Sequence, residues 1–484
     1  MNLLIMDNIE LDRVLRNARR FCCVHTVRHV PAGNPNAGED GLPKTIPLNG
    51  NLHTRISPQA NKAALITHPF VRALATRNPT YSIPIRTRTA AKAQLQKMVD
   101  DGESKESIYK AAAAAYCLCR LTCGKPPEEI NMEKVTDSKI EGWLREIHLD
   151  AAVKSTGKKP KTTEEEQDVF TGENAKKLHN QNYLFEVWQI EEFQKLILES
   201  AGGNRKTMPQ NMLKKWQAAM ASAPPSFWVS LLGNFSPGDG YPTVQAALAC
   251  AGSVSTTPVP DLTPDYFVAN DRLVNEVGYL GTKYIWSGAV QTMYSCDLLT
   301  LALNMRLGNL GVAAELYAPL LEIFPYVAPT GGNTNSINCC TSDVVVVEMT
   351  TFPTNSSSAC VRPRRHLDGV QNPNGYLKDI ERFSRCLAGD LEVQKGTGVE
   401  REIAYVIHPD FADVEFPGTR LKSFSELPGW LASYDLDIPL TDDLCRYWSD
   451  EYHAKTKAEP EEQPDAEKPS AKKQPRKKAA RSKV

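Results

Sequence analysis

The chain has 484 residues, with 56 basic and 57 acidic side chains and a formal net charge of −1. This balance gives no global attraction to a polyanion, so any nucleic-acid binding must come from local patches. The length allows one large domain with insertions or two domains. No apolar run approaches the roughly 18 residues that span a membrane, and Asp7 interrupts the apolar start, so a cytoplasmic protein without membrane contact is expected.

The twelve cysteines are scattered along the chain, and reduced thiols are the natural expectation for a cytoplasmic protein. Cys117, Cys119 and Cys123 cluster in an alanine-rich helical segment. Their spacing fits no standard zinc pattern. We therefore predict core thiols, and no metal or cofactor.

The first hundred residues alternate between strands, loops and helices. Residues 9–20 predict an amphipathic basic helix, and 21–30 (FCCVHTVRHV) predict the first strand because the segment is β-branched and partly alternating. Residues 31–50 form a long loop, and loops of this length in compact domains are usually functional. Residues 81–89 (YSIPIRTRT) predict a short strand with Arg86 and Arg88 on one face.

The segment 41–65 (GLPKTIPLNGNLHTRISPQANKAAL) predicts a polar strand over 51–56 and then a helix to about residue 75. Ser57 can cap this helix, with Pro58 in its first turn. Free backbone N–H groups and the positive end of the helix dipole favour a phosphate there. An ordinary capped helix beside a solvated loop would show the same pattern. The polar side chains gathered at this corner are Lys44, Arg55, Ser57, Gln59 and Lys62.

The middle of the chain, 90–223, predicts a helical insertion. Its support is high helix propensity, a Glu106–Lys110 pair at i,i+4, and a charged stretch at 150–177 that is poor in aliphatic residues and expected to be exposed. After it, 227–235 (FWVSLLGNF) predicts an apolar strand that includes Phe235.

The last part of the chain combines a ribbon, a buried strand and a tail. Residues 254–277 predict a Thr/Pro/Asp-rich ribbon carrying DYFVANDRL, and 343–350 (DVVVVEMT) a buried strand. Residues 455–484 have no aromatic residue and predict a disordered tail, acidic first and then basic. Such a tail could solubilise the protein or add salt-dependent affinity for a nucleic acid.

Three blocks in this order resemble the CasC-type Cascade backbone subunit, a RAMP protein that coats CRISPR RNA in type I-E complexes. Residues 36–64 are similar to its N-R-D-D-x-G-x-P-K and R-x-R-[IV]-S-S-Q-x-x-K-R-A patterns, which place Ala37, Pro58 and Ala63 where the family has arginine, serine and a basic residue. Residues 265–273 are similar to D-[WY]-F-T-A-x-D-D-L. Residues 278–298 (GYLGTKYIWSGAVQTMYSCDL) form the third block.

The resemblance implies an α/β (α+β) fold, with a modified RRM-like or ferredoxin-like palm on an antiparallel sheet, an inserted helical domain and a β-ribbon thumb. The implied organisation is an N-terminal helical extension at 1–20, a first palm part with the RNA-binding loop at 21–89, the helical insertion at 90–223, a second palm part at 224–454 with the thumb at 254–277, and a charged tail at 455–484.

The resemblance also implies a non-catalytic scaffold that oligomerises along CRISPR guide RNA in an antiviral Cascade-type complex and supports pairing with target DNA. Its partners would be the guide RNA, target DNA through the guide, further copies of itself and other Cascade subunits. The implied RNA-binding residues are Lys44, Arg55, Ser57, Gln59, Lys62, Phe235, Tyr266, Phe267 and Val268. Without the resemblance, Phe235 would fit a core position equally well, and Tyr266 and Phe267 would fit hairpin packing.

Two other functions compete with the scaffold. Backbone subunits of type III complexes cut RNA with a loop aspartate, and Glu39 and Asp40 lie in a comparable loop. Metal-assisted cleavage normally needs more than one placed carboxylate, and Asp40 has no evident partner, so an enzyme is not expected. A viral coat protein that packages RNA would explain the basic tail. It would not explain three motif blocks in family order.

Overall fold

The computed structural model describes residues 18–48, 50–87, 90–122, 126–146, 183–233, 244–258, 263–271, 276–329, 331, 340–361 and 375–440. Within these ranges the chain is a mixed α/β structure with thirteen α-helices and one large sheet. No helix in this part of the chain is long and apolar enough to cross a membrane. Six predicted features lie outside the described residues: most of the 9–20 helix, Arg88, Cys123, the 150–177 stretch, Phe235 and the 455–484 tail.

The sheet is built from strands that are spread over the whole described chain. The strands are β1 (Phe21–Gly33), β2 (Thr45–Leu48), β3 (Asn51–Ile56), β4 (Ile85–Thr87), β5 (Tyr183–Phe185), β6 (Leu248–Cys250), β7 (Ser253–Ser255), β8 (Thr263–Asp271), β9 (Glu276–Asp297), β10 (Val344–Thr350), β11 (Arg401–Ile407) and β12 (Thr419–Arg420). Ten of them form one sheet in the order β12-β11-β10-β1-β9-β7-β3-β2, with β6 and β8 also paired to β9. The strands β4 and β5 form a separate pair.

Strand β1 lies at the centre of the sheet, between β9 and β10. Val24 is in register with Tyr294 of β9 on one side and with Val347 of β10 on the other. These pairings are antiparallel, whereas β11 and β12 pair in parallel. The predicted first strand and the predicted buried strand at 343–350 are both confirmed, as β1 and β10.

Helices cover both faces of the sheet. The α-helices are α1 (Pro58–Thr67), α2 (Pro69–Arg77), α3 (Ala90–Asp100), α4 (Lys105–Thr122), α5 (Asp137–Glu146), α6 (Val187–Ser200), α7 (Met208–Ala221), α8 (Phe227–Leu232), α9 (Leu298–Asn304), α10 (Leu310–Tyr317), α11 (Pro319–Ile323), α12 (Gly375–Gln394) and α13 (Leu427–Ala432). On one face, Phe383 and Leu387 of α12 pack on Val27 and Val346. On the other, Tyr294 stacks against Phe324 with ring centroids 4.5 Å apart.

Helices α3 to α7 surround a hydrophobic core of their own. Its buried residues all lie between Ala90 and Met220, and they include Phe193 and Trp216, whose rings meet edge to face at 5.9 Å. The alanine run of α4 is almost completely buried, which lets neighbouring helices approach closely. The predicted Glu106–Lys110 pair is present on the exposed side of α4, and Cys117 and Cys119 are buried as predicted.

Three predicted elements differ from the structure. The helix predicted over 57–75 is two helices, because Pro69 follows His68 and forces that residue into an extended conformation (φ −61°, ψ 138°). The strand predicted over 81–89 begins later, since Tyr81 lies in a 3₁₀ turn and, among the described residues 81–87, only Ile85–Thr87 forms a strand.

The apolar segment 227–235 was predicted as a strand, and this is wrong: Phe227–Leu232 is helix α8. A short run buried on all sides carries no periodicity that separates strand from helix. The burial of Trp228 is complete, and its indole N–H donates to the carbonyl of Tyr81 at 3.0 Å. Phe227 meets Tyr81 edge to face. These contacts decide the conformation.

Candidate nucleic-acid interface

Asn36 joins the long loop to the start of helix α1. Its backbone carbonyl accepts the N–H of Lys44 at 3.1 Å, and its side-chain Oδ1 accepts the N–H of Ser57 at 2.9 Å. The carbonyl of Lys44 in turn accepts the N–H of Arg55 at 2.8 Å. Lys44, Arg55 and Ser57, which the sequence analysis placed at one corner, are therefore held together by two main-chain hydrogen bonds and one bond to the Asn36 side chain.

The loop before Lys44 is folded on itself. Gly41 has φ +77°, a left-handed conformation that favours glycine. Its carbonyl accepts Nδ2 of Asn34 at 3.1 Å. The carboxylate of Asp40 accepts the backbone N–H of Leu42 at 3.0 Å, so this aspartate caps its own turn. The loop therefore holds the backbone of Lys44 next to a turn that is fixed by hydrogen bonds.

The start of α1 is capped as the sequence predicts. Ser57 is extended (φ −66°, ψ 152°), its Oγ accepts the N–H of Ala60 at 3.3 Å, and Pro58 occupies the first turn. The expectation of free N–H groups is wrong at two positions, because Asn36 takes the N–H of Ser57 and Ser57 takes that of Ala60. An anion at this corner would therefore rely more on cationic side chains than on the helix N-terminus.

The corner carries cations that are not neutralised within the described part of the chain. Lys44 and Gln59 are exposed, and Arg55 and Lys62 are half-buried. None of Lys44, Arg55 and Lys62 forms an ion pair with a described carboxylate. Burial lowers the pKa of Lys62. A negative group placed here would restore the favourable environment that burial removes from Lys62.

A close approach of two backbones fixes the corner to the sheet. Arg55 of β3 is in register with Val254 of β7. Just before β7, Gly252 has φ +76°, and a Cβ at this position would lie 2.9 Å from the carbonyl oxygen of Ile56. Asn61 of α1 donates to Ser253 Oγ at 2.9 Å. The helix start, β3 and β7 therefore form one packed unit.

The predicted thumb residues lie on a ribbon that extends from this unit. Strand β8 pairs antiparallel with the first half of the 22-residue β9, with Tyr266 opposite Thr282 and Phe267 opposite Gly281. Val268 is opposite Leu280. Phe235 lies outside the described residues. The structure therefore brings the five corner residues together and places the three ribbon residues on a strand of their own.

Sequence reasoning missed two residues of the corner, Asn36 and Asn61, and one buried residue of the central strand, Arg28. Asn36 belongs to the quoted motif, but a hydrogen bond to a residue 21 positions away leaves no local signal. Asn61 is completely buried beneath α1, where an amide in an alanine-rich helix looks like a surface residue. Arg28 is completely buried in β1. The sequence did contain one signal for this buried residue, a single arginine in a largely apolar strand.

Asn36 accepts the N–H groups of Lys44 and Ser57 and so acts as a clamp between the loop and α1. Removing this clamp should loosen the loop without unfolding the protein. We expect Asn36→Ala to cost about 1–2 kcal/mol of stability, since it leaves a donor without its partner. The local sign would be faster hydrogen exchange at the amides of Lys44 and Ser57. Asn131→Ala is the matched control, because Asn131 also accepts a neighbouring backbone N–H, that of Glu133, but in the helical part of the chain. Unchanged exchange at Ser57 would contradict the clamp.

The chain was compared with known proteins. The family model of CT1975-like proteins matches residues 23–374. No curated protein sequence matches the chain. Its fold is similar to that of a chain in "CRISPR RNA-guided surveillance complex, pre-nicking", with a TM-score of 0.56, 16% identity and coverage of 85% of this chain and 99% of that chain. A chain of a second "CRISPR RNA-guided surveillance complex" gives a TM-score of 0.49 at 14% identity, with the same coverage.

Among the described residues, no group of three or more histidine, cysteine or acidic side chains could hold a metal ion. The family match extends over well more than half of the chain. This protein belongs to the CT1975-like family of CRISPR-associated proteins, which confirms the resemblance to Cascade-type subunits recognised in its motifs.

Proposed function

We propose that this chain is a non-catalytic scaffold that binds CRISPR guide RNA and oligomerises along it. The observation that carries the proposal is the corner formed by Lys44, Arg55 and Lys62, three cations without described ion-pair partners around a capped helix start. A scaffold that must accept any guide sequence needs contacts to phosphates, which carry no sequence information. Cationic side chains on a rigid turn supply such contacts.

The ribbon would provide the second kind of RNA contact, in addition to the contacts with phosphates. In this proposal β8 and the start of β9 form a thumb, and the sheet around β1 forms a modified RRM-like palm of the type I-E kind. Tyr266, Phe267 and Val268, with Phe235, would shape the RNA between phosphate contacts. Stacking on aromatic side chains contributes about 1–3 kcal/mol per base whatever the base. This again suits a binder that does not read sequence.

The scaffold would act in the cytoplasm, with target DNA paired to the guide, further copies of the chain and other Cascade subunits as partners. The fold likeness to a chain of an RNA-guided surveillance complex supports this assembly. The absence of catalysis remains part of the proposal.

The proposal is tested with the purified full chain and two single-stranded RNAs of equal length and unrelated sequence. We expect equal affinities and several copies per RNA, counted by native mass spectrometry, with the RNA intact after incubation with Mg²⁺. Strong preference for one sequence, or one copy per RNA whatever its length, would contradict the scaffold. Cleavage with Mg²⁺ would favour the type III-like alternative.

A further inference from the structure

Arg28 is a buried cation in the central strand. Its side chain is 1% exposed, and its Nη1 donates to the carbonyl of Val327. Among the described residues no carboxylate forms an ion pair with it. Buried charges in proteins are normally paired, because an isolated charge loses its hydration without compensation. A guanidinium held in this way indicates that its counter-charge comes from elsewhere.

A second cation without an ion-pair partner among the described residues lies on the same side of the sheet. Lys62 of α1 is half-buried and has no described ion-pair partner. Asn61, next to it, donates to Ser253 Oγ at 2.9 Å and to Cys250 Sγ at 3.9 Å, which seats α1 on β6 and β7. Burial raises the pKa of the Cys250 thiol, and the charges of both Lys62 and Arg28 act on it in the opposite direction. Cys250 therefore lies within the field of two cations.

Tyr294, a second ionisable group near Arg28, does not supply a counter-charge. Tyr294 is completely buried, and burial raises its pKa so that the phenol stays protonated at neutral pH. The Cys250 thiol is also neutral under these conditions. Hydrogen bonds connect α1 to the strand of Arg28: Thr292, opposite Thr26 of β1, donates to the same Ser253 Oγ at 2.6 Å. Arg28 is two residues further along β1 and therefore lies on that face of the sheet.

We propose that Arg28 is a positioning cation beneath the corner, and that its charge and that of Lys62 are neutralised by an RNA phosphate bound at the start of α1. This rests on the proposed function. Arg28 would not touch the phosphate; it acts through the low-dielectric interior, where charges are screened much less than at the surface. Its contribution to affinity should therefore persist at salt concentrations that weaken surface lysines.

The variants Arg28→Gln and Arg28→Lys separate the charge from the contact with Val327. Glutamine keeps a donor but loses the charge, and is expected to weaken single-stranded RNA binding about three- to tenfold, with the slope of log K against log salt unchanged. Lysine keeps the charge and should restore most of the affinity. By contrast, Lys44→Ala should make the slope shallower by about 0.7.

The outcomes are distinguishable. If the wild-type chain binds no RNA, the proposed function fails and this inference falls with it. If the wild type binds and Arg28→Gln binds equally well, the inference alone is overturned. A loss in Arg28→Gln that Arg28→Lys does not restore would also overturn it, because the arginine would then act only through its shape and hydrogen bond.

The wild-type chain supplies a second test, which stands even if Arg28→Gln does not fold. The pH dependence of Cys250 alkylation by iodoacetamide, followed by peptide mass spectrometry, reports the pKa of this thiol. Bound RNA that neutralises the two cations should move the midpoint to higher pH. An unchanged midpoint would overturn the inference, and a lower plateau rate alone would show only that RNA covers the thiol, which likewise counts against it.

Discussion

Replacement of Glu348 by glutamine is expected to lower the free energy of unfolding by about 3–5 kcal/mol, because it removes the only described negative charge between two buried basic groups. Glu348 of β10 is completely buried. His25 Nε2 of β1 lies 2.7 Å from its Oε1. Arg401 of β11 donates to its Oε2 through Nε at 2.8 Å and also through Nη2. The carboxylate thus connects three adjacent strands, β1, β10 and β11.

The surroundings of Arg401 leave little room for a water molecule to replace the Glu348 carboxylate. Its side chain is 1% exposed, and its Nη1 and Nη2 donate to Gln394 and Ser356, at 3.3 and 3.2 Å. The glutamine variant would keep the shape of the site but leave the guanidinium without its counter-charge. Unfolding in denaturant, monitored at several wavelengths, measures the loss.

The same carboxylate predicts how stability depends on acid. Burial raises the pKa of Glu348, but the charges of His25 and Arg401 and the hydrogen bonds from Arg401 outweigh this, and the pKa is lowered overall from its ordinary value of 4.5. A lowered pKa means that the contribution is fully present above pH 4.5 and is lost as the pH falls through the folded value. The wild type should therefore lose this stability in acid, and Glu348→Gln should lack that part of the dependence.

Glu392→Gln is the matched control for this experiment. Glu392 lies on α12, near the same end of the sheet, and pairs with Lys395 at an exposed position. Exposed pairs of this kind contribute about 0–1 kcal/mol. If both substitutions lowered the stability equally and by less than about 1 kcal/mol, the buried cluster would not have the role assigned to it.

The double substitution Lys44→Ala with Lys62→Ala should have the largest effect on RNA. Each phosphate contact to single-stranded nucleic acid contributes about 0.7 to the slope of log K against log salt, so the slope should become shallower by about 1.4. At physiological salt the affinity should fall about tenfold. Titration of a labelled single-stranded RNA at several salt concentrations measures both quantities.

The control must change the net charge equally at another place. Lys97 of α3 and Lys134 are exposed in the helical part of the chain, and their replacement by alanine should leave slope and affinity close to those of the wild type. Equal losses in the two double variants would mean that only net charge matters. An unchanged slope in Lys44→Ala with Lys62→Ala would remove the corner from the RNA site.

Local chemistry explains the elements that could be predicted from the sequence. The cap at Ser57, with Pro58 behind it, needs only neighbouring residues. The predicted strand at β1 rests on β-branched residues in a short segment. The break after His68 also had a local signal in Pro69, although the sequence analysis predicted one helix to about residue 75. Elements defined by a few adjacent residues are therefore accessible to pattern analysis.

Contacts between distant residues explain what could not be predicted. Glu348 is a single acidic residue in the run VVVVEMT, and only the pairing of β10 with β1 and β11 brings His25 and Arg401 to it. The order of strands in the sheet has the same origin, because register depends on partners hundreds of residues away. At the corner, Lys44 and Ser57 could be grouped by motif resemblance, whereas the Asn36 clamp that positions them required the folded chain.

The most direct test of the scaffold is to purify the chain with the products of its neighbouring genes and to sequence the RNA that accompanies it. Short RNAs of uniform length, with repeat-derived ends around variable spacers, are the predicted result. Heterogeneous cellular RNA, or one long genome-like RNA packaged by this chain alone, would contradict the account and would favour the coat-protein alternative.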